Sequence, residues 1–267
     1  MTTLDRYKIY AVRYATREAR RAEHFLGGDP HDAPMAMDYF VWAVVGERRT
    51  FVIDTGFGAA EAARRERTLL RPPAEGLGLV GVDAGRVEDV VITHLHYDHA
   101  GTLGDFPAAR FHLQDLEMAY ATGRHMCHEP LRHAFEVDHV VDMVRLAYGG
   151  RVCFHDRERE LAPGLSLHHV GGHTMGLQVV RVFTERGWVV LASDASHFYA
   201  NMEETRPFPI VFNVGDMIEA FATLRRLADS PAHIVPGHDP LVLQRYPPAA
   251  PELEGVVARL DLAPDRA

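Results

Sequence analysis

The residues with the clearest chemical purpose form one short run, Thr93-His94-Leu95-His96-Tyr97-Asp98-His99-Ala100-Gly101, directly behind the apolar triplet Val90-Val91-Ile92. In extended backbone, side chains two residues apart point the same way, so His94 and His96 can close on one metal ion. Asp98 and His99 follow where the chain turns and are placed to address a second ion beside the first. Imidazoles and carboxylates crowded this closely cost folding free energy through desolvation and repulsion unless a cation satisfies them.

Three later segments repeat a grammar of apolar strand, turn and single ligand. Leu165–Val170 leads to Gly171-Gly172-His173, Trp188–Ala192 to Ser193-Asp194-Ala195-Ser196, and His233–Val235 to Pro236-Gly237-His238-Asp239. Glycine before each histidine permits a tight turn where little room remains around an ion. With the first run these segments supply five histidines and two aspartates, enough for two ions sharing a bridging carboxylate. The segment His125-Met126-Cys127-His128 lacks a partner pair at a set distance and is not read as a metal site.

The elements that must position these ligands follow from patterning. Strands are expected at Lys8–Val12, Tyr39–Val45, Arg49–Ile53, Asp89–Thr93, Ala109–Leu113, Leu165–Val170, Gln178–Phe183, Trp188–Ala192 and His233–Val235, runs rich in Val, Ile, Phe and Tyr. Helices are expected over Ala59–Leu70, over Gln114–Thr122 with Gly123 as C-cap, and over Gly215–Ala228. Hairpins early and strand–helix alternation later predict an α/β (α+β) chain with two mixed sheets and helices outside them. No repeat or Gly/Ser linker divides residues 1–267, which read as a single domain. Residues 105–159, interrupted by Pro130 and Gly149-Gly150, are a candidate lid or insert.

The run His94-Leu95-His96-Tyr97-Asp98-His99, followed in order by His173, Asp194 and His238 and preceded by Phe51-Val52-Ile53-Asp54-Thr55-Gly56, resembles the metallo-β-lactamase superfamily. Within it the chain is most similar to the N-acyl-homoserine lactonase group, from roughly Ile9 to Val242. The resemblance implies a four-layer αββα sandwich with the metals at one edge. It implies that His94, His96 and His173 hold one ion, that Asp98, His99 and His238 hold the other, and that Asp194 bridges them. Asp54 would support the histidine loop from behind, or alternatively cap the turn at Thr55-Gly56.

The cofactors implied are two zinc ions, with iron, manganese or cobalt as substitutes. The activity implied is hydrolytic opening of a lactone ring, an N-acyl-homoserine lactone (quorum quenching) or another small lactone, with Asp98 or Asp194 moving the proton. The group carries a tyrosine three residues after the bridging aspartate. His197 stands there instead, with Tyr199 two residues on, and an imidazole can also donate a hydrogen bond to a carbonyl or leaving oxygen. Met35, Tyr39, Tyr199 and Phe208 are candidates for an apolar substrate pocket, against a default of core packing. A thioester or phosphodiester hydrolase of the same fold, or a non-catalytic metal-bound sensor, remain as alternatives.

Composition narrows the context. Lys+Arg is 28 against Asp+Glu 37, a net charge of −9, and the clusters Arg17–Arg21 and Arg64–Arg67 alternate with Glu and Ala as solvated helix faces. A nucleic-acid partner is therefore not expected. No apolar run approaches the ~18 residues of a membrane span, and the first residues lack the apolar core of a signal peptide. Two cysteines, Cys127 and Cys153, make no disulfide framework. The expectation is a cytoplasmic monomer or homodimer that acts on a small molecule, without a membrane partner. Lys8 is the sole lysine, an arginine bias that suggests a GC-rich bacterial coding sequence.

Overall fold

β-branched and aromatic residues dominate the longest strands, and their burial shows where those strands lie. Met37–Val45 (β2, following Lys8–Arg17, β1) is buried from Met37 to Val44, as expected of a strand covered on both faces. Its antiparallel partner β1 breaks register between Arg13 and Ala15, a bulge that bends the strand. The computed structural model describes residues 4–265.

Thr50–Ile53 (β3), Thr68–Leu69 (β4), Asp89–Val91 (β5), Arg110–Gln114 (β6) and Val152–His155 (β7) extend the same sheet. Glu158–Ala162 (β8), Leu165–His169 (β9), Gln178–Thr184 (β10), Gly187–Ser193 (β11) and Ile234–Pro236 (β12) make the second, and Val257–Arg259 (β13) returns to the first. The larger sheet runs β13-β1-β2-β3-β5-β6-β7 with β4 paired to β1, and the smaller runs β12-β11-β10-β9-β8. Strands β3, β5, β6 and β7 are mutually parallel, as are β11 and β12.

The helices are Ala59–Arg64 (α1), Pro73–Gly78 (α2), Asp115–Ala121 (α3), Glu129–Arg132 (α4), Val137–Tyr148 (α5), Tyr199–Glu203 (α6), Val214–Leu227 (α7) and Leu241–Arg245 (α8). α2 packs on β1 and β2, α5 on β7, and α7 on β11. This is the expected mixed α/β architecture, two sheets with flanking helices. Of the face Met217, Ile218, Phe221, Leu224 and Leu227 that spacing predicts for α7, Met217, Phe221 and Leu224 are buried together with Ala220, while Ile218 is exposed.

One helix is shorter than its pattern predicts. The expectation of Ala59–Leu70 fails after Arg64, because Glu66 takes a left-handed φ of 55° and Thr68–Leu69 pairs with β1 as β4. Tertiary pairing overrides helix propensity there. Residues 105–159 contribute β6 and β7 to the larger sheet as well as α3, α4 and α5.

Candidate metal centre

Every ligand-type residue leaves the carboxyl end of a strand, where the chain must turn over the sheet edge. Thr93-His94 follow β5, Gly171-Gly172-His173 follow β9, Asp194 follows β11 and His238 follows β12. Backbone bonds tie these turns together. Thr55 N–H donates to His99 O at 2.7 Å and Gly101 N–H to Gly56 O at 2.7 Å, while Gly237 N–H donates to Ser196 O at 3.0 Å and His238 N–H to His197 O at 2.9 Å. Two non-glycine residues at the site, Asp54 (φ 61°) and Ser193 (φ 45°), are left-handed, a conformation that costs free energy and persists only where surroundings over-determine it.

The side chains then converge on Asp194. Its Oδ1 lies 3.0 Å from His238 Nε2 and 3.3 Å from His99 Nε2. Its Oδ2 lies 3.2 Å from His173 Nε2, 3.8 Å from His94 Nε2 and 2.9 Å from His197 Nε2. His173 Nε2 also stands 2.9 Å from His96 Nδ1, and Asp98 Oδ2 is 3.7 Å from His99 Nε2 and 3.9 Å from His238 Nε2. In each of three groups the potential ligand atoms lie within 4.8 Å of one another: His94/His96/His173/Asp194, Asp98/His99/His238, and Asp194/His197/His238.

Hydrogen bonds on the far side of the rings set the tautomers. His173 Nδ1–H donates to Ile210 O at 2.7 Å, His238 Nδ1–H to Asp38 O at 2.9 Å, and His99 Nδ1–H to Asp54 Oδ2 at 2.7 Å. Thr93 Oγ1–H donates to Asp54 Oδ2 at 2.8 Å, so His94 Nδ1–H donates to the Thr93 oxygen at 3.2 Å. His94, His173 and His238 therefore turn an Nε2 lone pair toward the cluster, and His99 turns its Nε2 there as well. Ser193 Oγ–H reaches Thr93 Oγ1 at 2.9 Å and joins the ends of β5 and β11.

The electrostatics call for a cation. Burial, and after it the neighbouring histidines, push the pKa of His94 and of His96 well below the imidazole range. Burial also opposes ionisation of Asp194, yet the surrounding histidines, His197 and His238 foremost, hold its pKa well below the carboxylate range. His99 goes the other way: burial disfavours its charge, but Asp194, Asp98 and Asp54 raise its pKa well above the usual value. His94 Nε2 and His99 Nε2 are buried with no hydrogen-bond partner among the described residues. Buried, unpartnered ring nitrogens around an ionised, buried carboxylate are costly unless metal ions satisfy them, and the all-imidazole and carboxylate set suits two divalent ions.

The remaining residues singled out from sequence fall in different places. His197 is buried and its ring stacks on Phe208, with centroids 3.6 Å apart and planes 5° from parallel. Its pKa drops to about 3 because burial outweighs the attraction of Asp194, which keeps the ring neutral. Tyr39 packs edge-on against His238 at 5.2 Å, and its hydroxyl meets that of Tyr97 at 3.3 Å. Half-buried Met35 accepts the His24 Nε2–H at 2.8 Å through its carbonyl. Tyr199 sits under the Arg245 guanidinium, 4.0 Å from ring centre to Cζ, and its hydroxyl makes no hydrogen bond among the described residues. His125, Cys127 and His128 join none of the clusters of potential ligands.

Sequence reading missed several supports. Glu117, buried on α3, accepts hydrogen bonds from both ligand-bearing loops. Its signal was an acidic residue sharing the buried stripe of α3 with Tyr120 and Ala121. Phe135 lies edge-on to His96 at 4.6 Å, and Tyr14 O–H donates to Asp98 O at 3.0 Å; nothing in their local sequence marks either.

Comparisons with known proteins agree with this geometry. The model of the metallo-beta-lactamase superfamily matches residues 36–238. A probable metallo-hydrolase of Mycobacterium tuberculosis is 25% identical over 220 residues, spanning 72% of this chain and 68% of its own. An N-acyl homoserine lactonase of a Bacillus species is 31% identical over 130 residues, 48% of this chain and 46% of that protein. Among solved structures, a quorum-quenching N-acyl homoserine lactone lactonase superposes with TM-score 0.74 at 20% identity, covering 90% of this chain and 94% of the other. The dizinc quorum-quenching lactonase AidC superposes with TM-score 0.68 at 17% identity, covering 90% and 92%. A chain whose sandwich carries its histidines and aspartates at one sheet edge, and whose sequence matches over residues 36–238, belongs to the metallo-beta-lactamase superfamily, as a metallo-hydrolase with a dinuclear site.

Proposed function

We propose that this metallo-hydrolase opens lactone rings, N-acyl-homoserine lactones being the first class to test, and that its two ions are zinc. The observation that carries the reading is the convergence of His94, His96, His99, His173 and His238 on Asp194, with Asp98 and a neutral His197 beside them. His94, His96 and His173 would hold one ion, Asp98, His99 and His238 the other, and Asp194 would span both. Two divalent ions, when bound, supply Lewis acidity and lower the pKa of water from 15.7 toward about 7.

The chain supplies the rest. Asp98, at 7% exposure the most open of the ligand-type residues, takes the proton of the attacking water on a carboxylate oxygen and returns it to the ring oxygen as the C–O bond breaks. His197 Nε2–H, held by the Phe208 stack, donates to the carbonyl or leaving oxygen where the lactonase group uses tyrosine. Asp54 and the carbonyls of Asp38 and Ile210 hold the ligand rings. Phe135, from the 105–159 segment, shields the His96 side as part of a lid, and Tyr39 packs against His238 in the other half-site.

The test is a pH-indicator assay on zinc-loaded protein with acyl-homoserine, aliphatic and aromatic-fused lactones, a thioester and bis-nitrophenyl phosphate. Preference for one lactone class by orders of magnitude in kcat/KM supports the reading and names the substrate. Turnover of the thioester or phosphodiester alone replaces it, and metal binding with no turnover at all leaves a sensor.

A further inference from the structure

The loops that carry His94, His96 and His173 share one buried carboxylate that the steps above do not use. Glu117 on α3 has no solvent exposure. Its Oε1 accepts the backbone N–H of Leu95, the residue between His94 and His96, at 2.9 Å. Its Oε2 accepts the Thr174 hydroxyl at 2.6 Å and the Gly176 N–H at 3.0 Å, just past His173. The helix itself presses on that loop: a Cβ on Gly176 would stand 2.1 Å from the Glu117 backbone nitrogen, so only glycine allows the approach.

We propose that Glu117 is a positioning residue that fixes the three-histidine half of the metal site by pinning both of its loops through a single carboxylate. The chemistry of the three donors requires a carboxylate. Leu95 and the Thr174/Gly176 pair all present N–H or O–H groups, so both oxygens of Glu117 must accept. An amide of the same shape offers one accepting end and one NH2 end. Whichever way it turns, a buried N–H faces another donor on one of the two loops. The effect is directional as well. Asp54 reaches His99 in the other half-site as well as Thr93, whereas the Glu117 contacts lie only on the loops of His94, His96 and His173.

The inference rests on the assignment of these residues to two ions, and its test reads metal rather than turnover. Zinc affinity is measured by chelator competition, and cobalt(II) absorption is recorded, for the wild type, Glu117→Gln and Thr174→Val, with melting of the metal-free forms as a folding control. The wild type binds two ions. Glu117→Gln loses about 10–100-fold in affinity at one of them, with altered cobalt bands for that ion, as expected when support behind ligands is removed. Thr174→Val shows a smaller loss at the same ion. Unchanged affinities and cobalt spectrum in both variants overturn the proposal. So does an unfolded Glu117→Gln beside a Thr174→Val of wild-type affinity and spectrum, since Glu117 would then serve folding alone. A wild type that binds fewer than two ions instead fails the reading beneath it.

Discussion

Asp54 places Oδ2 2.7 Å from Nδ1 of His99 while its Oδ1 accepts the Thr93 backbone N–H at 2.7 Å. One carboxylate thereby orients a ligand-type ring and anchors the strand end from which the histidine run departs. The left-handed φ of 61° at Asp54 is the conformational cost of reaching both.

Asp54→Asn tests this relationship cleanly, because asparagine tolerates the left-handed region as well as aspartate does. The amide oxygen can still accept the Thr93 backbone N–H, but its NH2 then faces both the Thr93 hydroxyl and His99 Nδ1, turning that hydroxyl away and forcing the His99 proton onto Nε2, the atom aimed at Asp194. The expected outcome is an about 10–100-fold loss of affinity at the ion held by His99, with a smaller loss at the three-histidine ion, whose His94 leans on the Thr93 hydroxyl. Equal loss of both ions, or of neither, in a zinc titration would contradict it.

Removing metal lowers stability, since ions that bind the native cluster but not the unfolded chain stabilise by mass action. At a free concentration of about 100 Kd the contribution is ~2.7 kcal/mol per site. Chelator treatment is expected to lower Tm by several degrees, and stoichiometric zinc to restore it. The buried orphan nitrogens of His94 and His99 are the physical reason. A Tm indifferent to chelator would mean that the cage is satisfied without ions.

His197→Phe keeps an aromatic ring to stack on Phe208 and removes both nitrogens. With the substrate found in the hydrolysis panel, kcat is expected to fall about 100-fold, the scale of one lost oxyanion donor, with KM and zinc stoichiometry near wild type. His197→Tyr restores a donor and recovers part of the loss. Loss of zinc from His197→Phe would instead place His197 among the ligands.

What was legible in the sequence was whatever local pattern determines. The histidine run, the glycine-flanked His173 and His238, and the Ser193-Asp194 turn are consecutive residues at strand ends, so spacing alone announces them. The nine expected strands all form, because their β-branched runs are buried on sheet faces. The breakdowns came where a distant partner decides. Leu69 joins β1 rather than extending α1 because Ala15 lies opposite it. Glu117 meets Leu95, Thr174 and Gly176 across separations of 22, 57 and 59 residues, which no local pattern encodes. Tyr199 differs again: two residues from His197 in sequence, it turns to Arg245 because α6 begins there.

Outside the clusters of potential ligands, Asp89, His112 and His155 form a chain: His112 Nε2–H donates to Asp89 Oδ1 at 3.0 Å, and His155 Nε2–H to His112 Nδ1 at 3.0 Å. Burial, and then His112, depress the pKa of His155 to about 4. A base with a lowered folded pKa binds fewer protons folded than unfolded, so its stability contribution declines as pH falls from about 6.5 to 4. Burial works to raise Asp89, but the His112 hydrogen bond and Arg49 hold it at about 2, so its contribution is lost only as pH falls from about 4 toward 2. Relative to His155→Phe, the wild type is expected to lose Tm between pH 6.5 and 4 and to run parallel below that. Parallel curves across the whole range would show that His155 is not held neutral.

Gly237→Ala is expected to damage the site more than the fold. A Cβ there would lie 2.8 Å from the Ser193 carbonyl carbon and oxygen and 3.0 Å from Asp194 Oδ1, the oxygen that faces His99 and His238. Backbone cannot give at that distance, and Ser193 is already left-handed, so the relief open to the chain is movement of the Asp194 turn. Gly150→Ala is the matched control. Its φ of 72° imposes the left-handed penalty of about 1–2 kcal/mol on alanine, yet nothing lies within 4 Å of its Cβ. Both variants should melt earlier than wild type. Only Gly237→Ala should bind zinc more weakly, with the deficit at the ion that shares Oδ1. Equal zinc affinity in the two variants would show that the Asp194 turn has slack, and that the close approach of Gly237 matters to folding alone.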